Sequence, residues 1–176
     1  YSGEKLEVEE YTSYDLALDN RDALASDAYK NAENYYKSVF ENAGGSINFY
    51  PDKSGAAPTA EMYHRETSEF SVQDVKAFCK KHGITENVFF ISAFGITLGK
   101  YNFRKDAVFT TIYHGRNDSR LSDTVGMLVK TLPVYCDFSG STADCLNAVQ
   151  QQLINSMNND IYPFSQISHE FNIKAD

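Results

Sequence analysis

Two segments of this 176-residue chain gather side chains whose types and spacing could serve chemistry. The first runs His114-Gly115-Arg116-Asn117-Asp118-Ser119-Arg120 and continues as Val125-Gly126-Met127-Leu128-Val129-Lys130-Thr131-Leu132-Pro133-Val134. The second is Asn159-Asp160-Ile161-Tyr162-Pro163-Phe164. Of the four histidines (His64, His82, His114, His169), His114 alone is expected at a strand end beside a Gly-Arg pair. His64 falls in an expected strand, where a hydrogen-bonded structural role outweighs that of a general base. His82 follows Lys80 and Lys81 near a helix C-terminus, the place of a solvated cap. Histidines and cysteines so scattered do not make a metal-ligand pattern. There is no GxGxxG, P-loop, HExxH, GxSxG or EF-hand loop.

The elements that must position these segments can be read from periodicity. Residues 1–20 show no steady period and read as an extended or irregular lead-in. From Ser26 a helical pattern begins, with Ala28, Tyr29, Ala32, Tyr35, Tyr36, Val39 and Phe40 recurring at three- and four-residue steps, and Gly44-Gly45 is expected to end it. Residues 51–59 form a Pro- and Gly-containing linker, and Met62 to Phe70 alternates as a strand does. Ser71 and Asp74 make a capping box for a short helix closed by Gly83, and Thr85 caps the next. That next helix is apolar on nearly every side from Val88 to Leu98, which predicts burial between layers. Strands are expected at Ala107–Tyr113 and Thr131–Phe138, the second with Leu132, Val134, Cys136 and Phe138 on one face and Pro133 at an edge or bulge. Ser141 and Asp144 cap a long helix, and a last short helix follows Pro163. This order predicts an α/β fold, a mixed β-sheet covered by helices.

Composition narrows the function classes. Forty-two per cent hydrophobic residues support a real core and exclude disorder. Sixteen basic against 24 acidic residues give a net charge of −8, which argues against a nucleic-acid or anionic-membrane surface. Most of that charge lies in residues 1–27, where eight acids face two bases. Three cysteines at wide spacing, with no CxxC, do not make a disulfide framework, and an intracellular compartment follows. No stretch is long and apolar enough for a membrane span.

Taken in order, the two motif segments resemble the condensation domains of nonribosomal peptide synthetases. There a strand ends in Gly-Arg, a Val-Gly-x-Phe-Val-Asn-Thr-x-Pro segment enters the next strand, and a His-Gln-x-x-Pro-Phe-like stretch follows a long helix. The helix starting at Thr85, the strand into Arg116, the aromatic helix around Tyr35-Tyr36 and the tyrosines Tyr11 and Tyr14 also follow the family's order. The resemblance implies the C-terminal half of a two-part, chloramphenicol-acetyltransferase-like fold, with residues 1–27 an acidic connecting segment and 28–176 a partial subdomain. It implies a cytoplasmic enzyme joining a carrier-bound acyl or aminoacyl thioester to an aminoacyl acceptor through an amide bond. The family's His-His-x-x-x-Asp-Gly motif is absent, so no catalytic residue is assigned and the isolated chain is expected to be inactive.

The remaining residues are then expected to wall a substrate channel: Gly126, Met127, Val129, Lys130 and Thr131, with His114 and Arg116 at the strand end. Arg116 is expected to hold the following loop through Asp118 or Asp123, an ion pair being favoured over substrate contact. Gly126 serves either a close approach or a tight turn. Lys130 stands where the family carries Asn, implying either a different acceptor or a side chain in solvent, and Asn159-Asp160 stands for His-Gln. Tyr29, Tyr35 and Tyr36 are expected to pack. No metal or cofactor is implied for this chain; phosphopantetheine belongs to the carriers. Implied partners are the upstream half-domain, carrier proteins and neighbouring synthetase domains. An uncovered apolar face would favour a homodimer of the isolated chain. Alternatives are a non-catalytic carrier-binding module, or a free-standing, epimerising or cyclising relative.

Overall fold

The computed structural model describes residues 3, 8–41, 43–50, 66 and 69–174. Most helices begin where a small polar residue can take up an orphan amide. Thr12, Ser71 and Ser141 each form a reciprocal box with the aspartate three residues on, opening α1 (Ser13–Ala23), α3 (Val72–His82) and α5 (Thr142–Asn158). Ser26 and Thr85 accept single amide bonds to open α2 (Asp27–Phe40) and α4 (Glu86–Tyr101). Gly83 closes α3 at φ 65°, a conformation glycine adopts without Cβ strain. The last helix, α6 (Phe164–Phe171), follows Pro163.

α1 corrects the reading of residues 1–20 as irregular. It buries no residue, so it has no apolar face to leave a period in the sequence; its signal was the Thr12–Asp15 box. Gly44-Gly45 does not end α2, which stops at Phe40 with Glu41 as its cap. The pair instead permits close packing: a Cβ on Gly45 would lie 3.1 Å from the Asn172 carbonyl, beyond the end of α6. The linker at 51–59 and the strand expected at Met62–Phe70, with His64, lie outside the described residues apart from Glu66, Glu69 and Phe70.

β1 (Asp106–Tyr113) and β2 (Lys130–Asp137) pair antiparallel, from Asp106 opposite Asp137 to Tyr113 opposite Lys130. Pro133 sits opposite Thr110 in unbroken register. Among the described residues β2 pairs with a strand on one side only, so Pro133 lies on an edge strand, where its missing N–H is tolerated. Alternation splits the sheet between two cores. Ala107, Phe109, Val134 and Cys136 face α3, α4 and α5, while Val108 and Tyr135 face α2 and α6. The result is a sheet between two helical layers.

The first core is aliphatic and close-fitting. α4 reaches the sheet through Ser92, Gly95 and Gly99, and a Cβ on Gly95 would fall 2.9 Å from the Phe109 ring. α4 is therefore not buried on all sides. Its small residues face the sheet, while Phe90 and Phe94 stay 56% and 46% exposed. The Phe94 ring meets Phe109 of β1 edge-on at 5.0 Å, and the rings of Phe94 and Tyr101 also contact Phe49, each edge-on. The second core is aromatic, as expected of Tyr29, Tyr35 and Tyr36. Tyr35 donates to the Gln152 carbonyl at 3.1 Å and Tyr36 to that of Ser156 at 3.3 Å, tying α2 to α5. Burial pushes both phenols above their ordinary value.

Candidate functional site

The Tyr113–Lys130 end of the strand pair collects both motif segments. Gly115 leaves β1 at φ 71°, and a Cβ there would lie 1.8 Å from the Leu128 carbonyl oxygen. Only glycine allows the two backbones this approach. Arg116 then turns its guanidinium into the loop it precedes, donating to the carbonyls of Leu121, of Thr124 at 3.1 Å and of Ser122 at 3.4 Å. The loop is held by Arg116 as expected, but through backbone carbonyls rather than Asp118 or Asp123. Asp118 is occupied by Arg120, at 2.9 and 2.7 Å.

Arg120 also reaches Asp19 of α1 at 3.0 Å and lies 4.5 Å above the Tyr11 ring. The Arg120 guanidinium and the loop amide beside it hold the Asp118 carboxyl below its ordinary value. Burial and the Asp19 carboxylate raise the Tyr11 phenol. Two further bonds tie the acidic lead-in to the segment: Thr124 Oγ1 donates to the Tyr11 carbonyl at 2.6 Å, and the Val125 amide donates to Glu9 Oε1 at 2.5 Å. Gly126 is pressed by Ser13, whose Cβ would lie 3.3 Å from a Cβ placed there. This is a close approach, and its partner is the start of α1.

Between these anchors the side chains of Val125, Met127 and Val129 point away from the core. Val125, Met127 and Val129 are 79%, 89% and 51% exposed, with Leu128 buried between them. His114 is turned back toward its own chain: its Nδ1 accepts the Arg116 amide at 3.0 Å and its ring packs on Tyr113. With Nδ1 accepting, the proton of a neutral imidazole sits on Nε2.

Lys130 neither meets a foreign acceptor nor points freely into solvent. Its ammonium donates to the Asp160 carboxylate at 3.0 Å and to the Asp160 carbonyl at 3.1 Å. Lys130 and Asp160 are the two charged departures from the family pattern, and the fold brings them together as one pair. They stand between two clefts of about 420 Å³ each, both of which they line with Asn20 and Ile161. One cleft opens toward α1 and Gly115, the other toward Val129, Thr131 and Phe164.

Of the expected site residues, Val129, Lys130 and Thr131 thus join the second motif at one cleft. Gly126 and Met127 line neither of these two clefts, and His114 and Arg116 organise the loop instead. Sequence reasoning named Gly115 and Asp160 within the two motifs but assigned neither to the site. The signal for Gly115 was a glycine between a strand end and an arginine; for Asp160 it was an acid in one motif matching a base in the other. Among the described residues, no cluster of His, Cys, Asp or Glu could hold a metal ion.

The condensation-domain family profile matches residues 1–176. The chain belongs to this family. Curated relatives of the condensation-domain chain are peptide synthetases and synthases. It is 29% identical over 135 residues to the nonribosomal peptide synthetase sidC of Arthroderma benhamiae, covering 76% of this chain and 3% of that protein. It is 25% identical over 179 residues to bacitracin synthase 2 of Bacillus licheniformis, covering 98% and 7%. The condensation-domain chain therefore spans a small fraction of the curated relatives' length. Its structure is similar to the first condensation domain of the calcium-dependent antibiotic synthetase solved with a substrate analogue, with a TM-score of 0.74 and 15% identity, covering 96% of this chain and 38% of that one. The α/β, chloramphenicol-acetyltransferase-like fold expected from the sequence is thus present. Among the described residues no helix is long and apolar enough to cross a membrane.

Proposed function

We propose that this chain supplies one wall of the substrate channel, and part of the carrier docking surface, of a condensation domain that forms amide bonds. The donor is a carrier-bound acyl or aminoacyl thioester and the acceptor a carrier-bound amine. The observation that carries this reading is the construction of residues 125–129. The Val125 amide bonds to Glu9 and the Leu128 carbonyl packs on Gly115, Thr124 just before them bonds through Oγ1 to the Tyr11 carbonyl, and the side chains of Val125, Met127 and Val129 stay outside the core. A rigid rail with outward apolar side chains is suited to aligning an extended arm and excluding water, and alignment alone can lower a bimolecular barrier substantially.

The polar side chains of the wall are engaged in holding it together. Lys130 is committed to Asp160, Arg116 to carbonyls, and His114 Nδ1 to an amide. The base or amine-positioning histidine is assigned to the upstream half-domain, and phosphopantetheine to the partner carriers. In the parent domain with loaded carriers, Val129→Asp is expected to cut the rate of condensation at least tenfold, with the circular dichroism spectrum and melting temperature unchanged. An unchanged rate would overturn the channel-wall reading. The isolated chain should give no turnover, and turnover from it would place the chemistry within this half. Carrier binding by a parent without turnover would select the non-catalytic docking reading.

A further inference from the structure

Two of the three cysteines meet in the fold. Cys136, near the end of β2, and Cys145, in the first turn of α5, place their sulfurs 3.4 Å apart. Both side chains are buried, at 0% and 2% exposure, in the aliphatic core. The segment between them is short, with a sequence separation of nine, and contains the Ser141–Asp144 box that fixes where α5 starts. Gly95 of α4 bears on the other side of Cys136: a Cβ there would lie 2.9 Å from its sulfur. That contact limits the ways in which Cys136 can turn from its partner. Cys79, on α3 in the same core, is the internal control.

The two thiols are not equivalent. Either sulfur can donate across this contact, and the contact favours the Cys145 thiolate while it and burial push the Cys136 thiol up. Cys145 also lies where the first amides of α5 favour negative charge. Helix ends open locally at small cost, so a small oxidant can reach the first turn without global unfolding.

We propose that Cys136 and Cys145 form a site of reversible two-electron oxidation, closing a disulfide that staples β2 to the start of α5 while Cys79 remains a thiol. With a peroxide as oxidant, the Cys145 thiolate attacks one peroxide oxygen, the O–O bond breaks, and the released hydroxide takes a proton to leave as water. The Cys136 sulfur then attacks the resulting Cys145 sulfenic acid. The S–S bond forms, the S–O bond breaks, and the Cys136 proton leaves with the hydroxyl as a second water. Two thiols lose two electrons and the peroxide gains them. The sulfurs must close from 3.4 Å to a bond of about 2.05 Å, a movement within the reach of one side-chain torsion and a small shift of the helix end.

The strand so stapled is the one whose other end carries Lys130, so the modification would stiffen the support of the site without touching it. The test is graded hydrogen peroxide treatment of the folded chain, followed by thiol counting and peptide mapping. The expected result is loss of two of the three thiols, a Cys136–Cys145-linked peptide and full recovery with a dithiol reductant. Cys79→Ser should keep the linkage and Cys145→Ser should abolish it. The oxidised chain should also unfold at higher denaturant concentration than the reduced one. Retention of all three thiols, a linkage involving Cys79, or over-oxidation of Cys145 to sulfinic acid ahead of disulfide formation would each overturn the proposal. Wild type and Cys79→Ser decide the question even where Cys145→Ser fails to fold.

Discussion

The two ends of the β1–β2 pair are built on opposite principles. At the Asp106–Asp137 end the structure is sealed by side chains. Gly99 admits the Phe138 ring and the Asp106 carbonyl against α4, and Arg104 clamps Asp106 at 2.8 and 3.0 Å. At the Tyr113–Lys130 end these fastenings each engage a main-chain group: Gly115 meets the Leu128 carbonyl, Arg116 collects loop carbonyls, and Thr124 and Val125 bond to the lead-in. The first arrangement spends its side chains on packing. The second leaves side chains free on a fixed backbone, which is what a surface that must present groups to a partner or substrate requires.

The sharpest way to break this contrast is at its two glycines. Gly115→Ala places a Cβ 1.8 Å from a carbonyl oxygen at a positive φ. Neither side can yield without moving a main chain, so the left-handed conformation and the overlap add to a loss of about 3 kcal/mol or more. Gly99→Ala sets a Cβ 2.4 Å from Phe138 Cζ and 2.8 Å from the Asp106 carbonyl. The phenyl ring can swing away, and alanine favours a helix over glycine by about 1 kcal/mol. The net loss there should be about 1–2 kcal/mol. Denaturant unfolding of both variants measures the difference. A Gly99→Ala loss exceeding that of Gly115→Ala would mean that the site end is not held by its backbone.

The same contrast explains how much the sequence disclosed. The sealed end and the two cores were legible because burial imposes a period: the stripes of α3 and α5 and the alternation of β2 are read directly from apolar positions. Capping boxes at Ser71 and Ser141 fixed where those helices begin. The site end was legible only as motifs. What holds it is main-chain geometry at Gly115 and under Arg116, and bonds between a side chain and a main-chain group more than a hundred residues away leave no period. α1 went unread for a related reason, since a helix that buries nothing writes no stripe. The outward aromatics of α4 misled in the opposite direction. With apolar residues at nearly every position, the small face built from Ser92, Gly95 and Gly99 does not stand out as the one that meets the sheet.

Lys130 and Asp160 give the smallest effect and the finest resolution of the contrast. The pair is about one-third and one-quarter exposed, so its net contribution is that of a partly screened ion pair. A double-mutant cycle of Lys130→Met and Asp160→Asn should return a coupling of about 0.5–1 kcal/mol in denaturant unfolding, falling as salt is raised. The backbone carbonyl of Asp160 also accepts from the ammonium, so Lys130→Met should cost slightly more than Asp160→Asn. The charge-exchanged double variant, Lys130→Asp with Asp160→Lys, should recover part of the loss, because the two side chains face each other across the same gap. A coupling of zero at low salt would mean that the two departures from the family pattern share this end of the sheet without supporting each other. A coupling in the expected range would make them a further side-chain fastening, beside that of Arg120 to Asp118 and Asp19, placed where the two clefts divide.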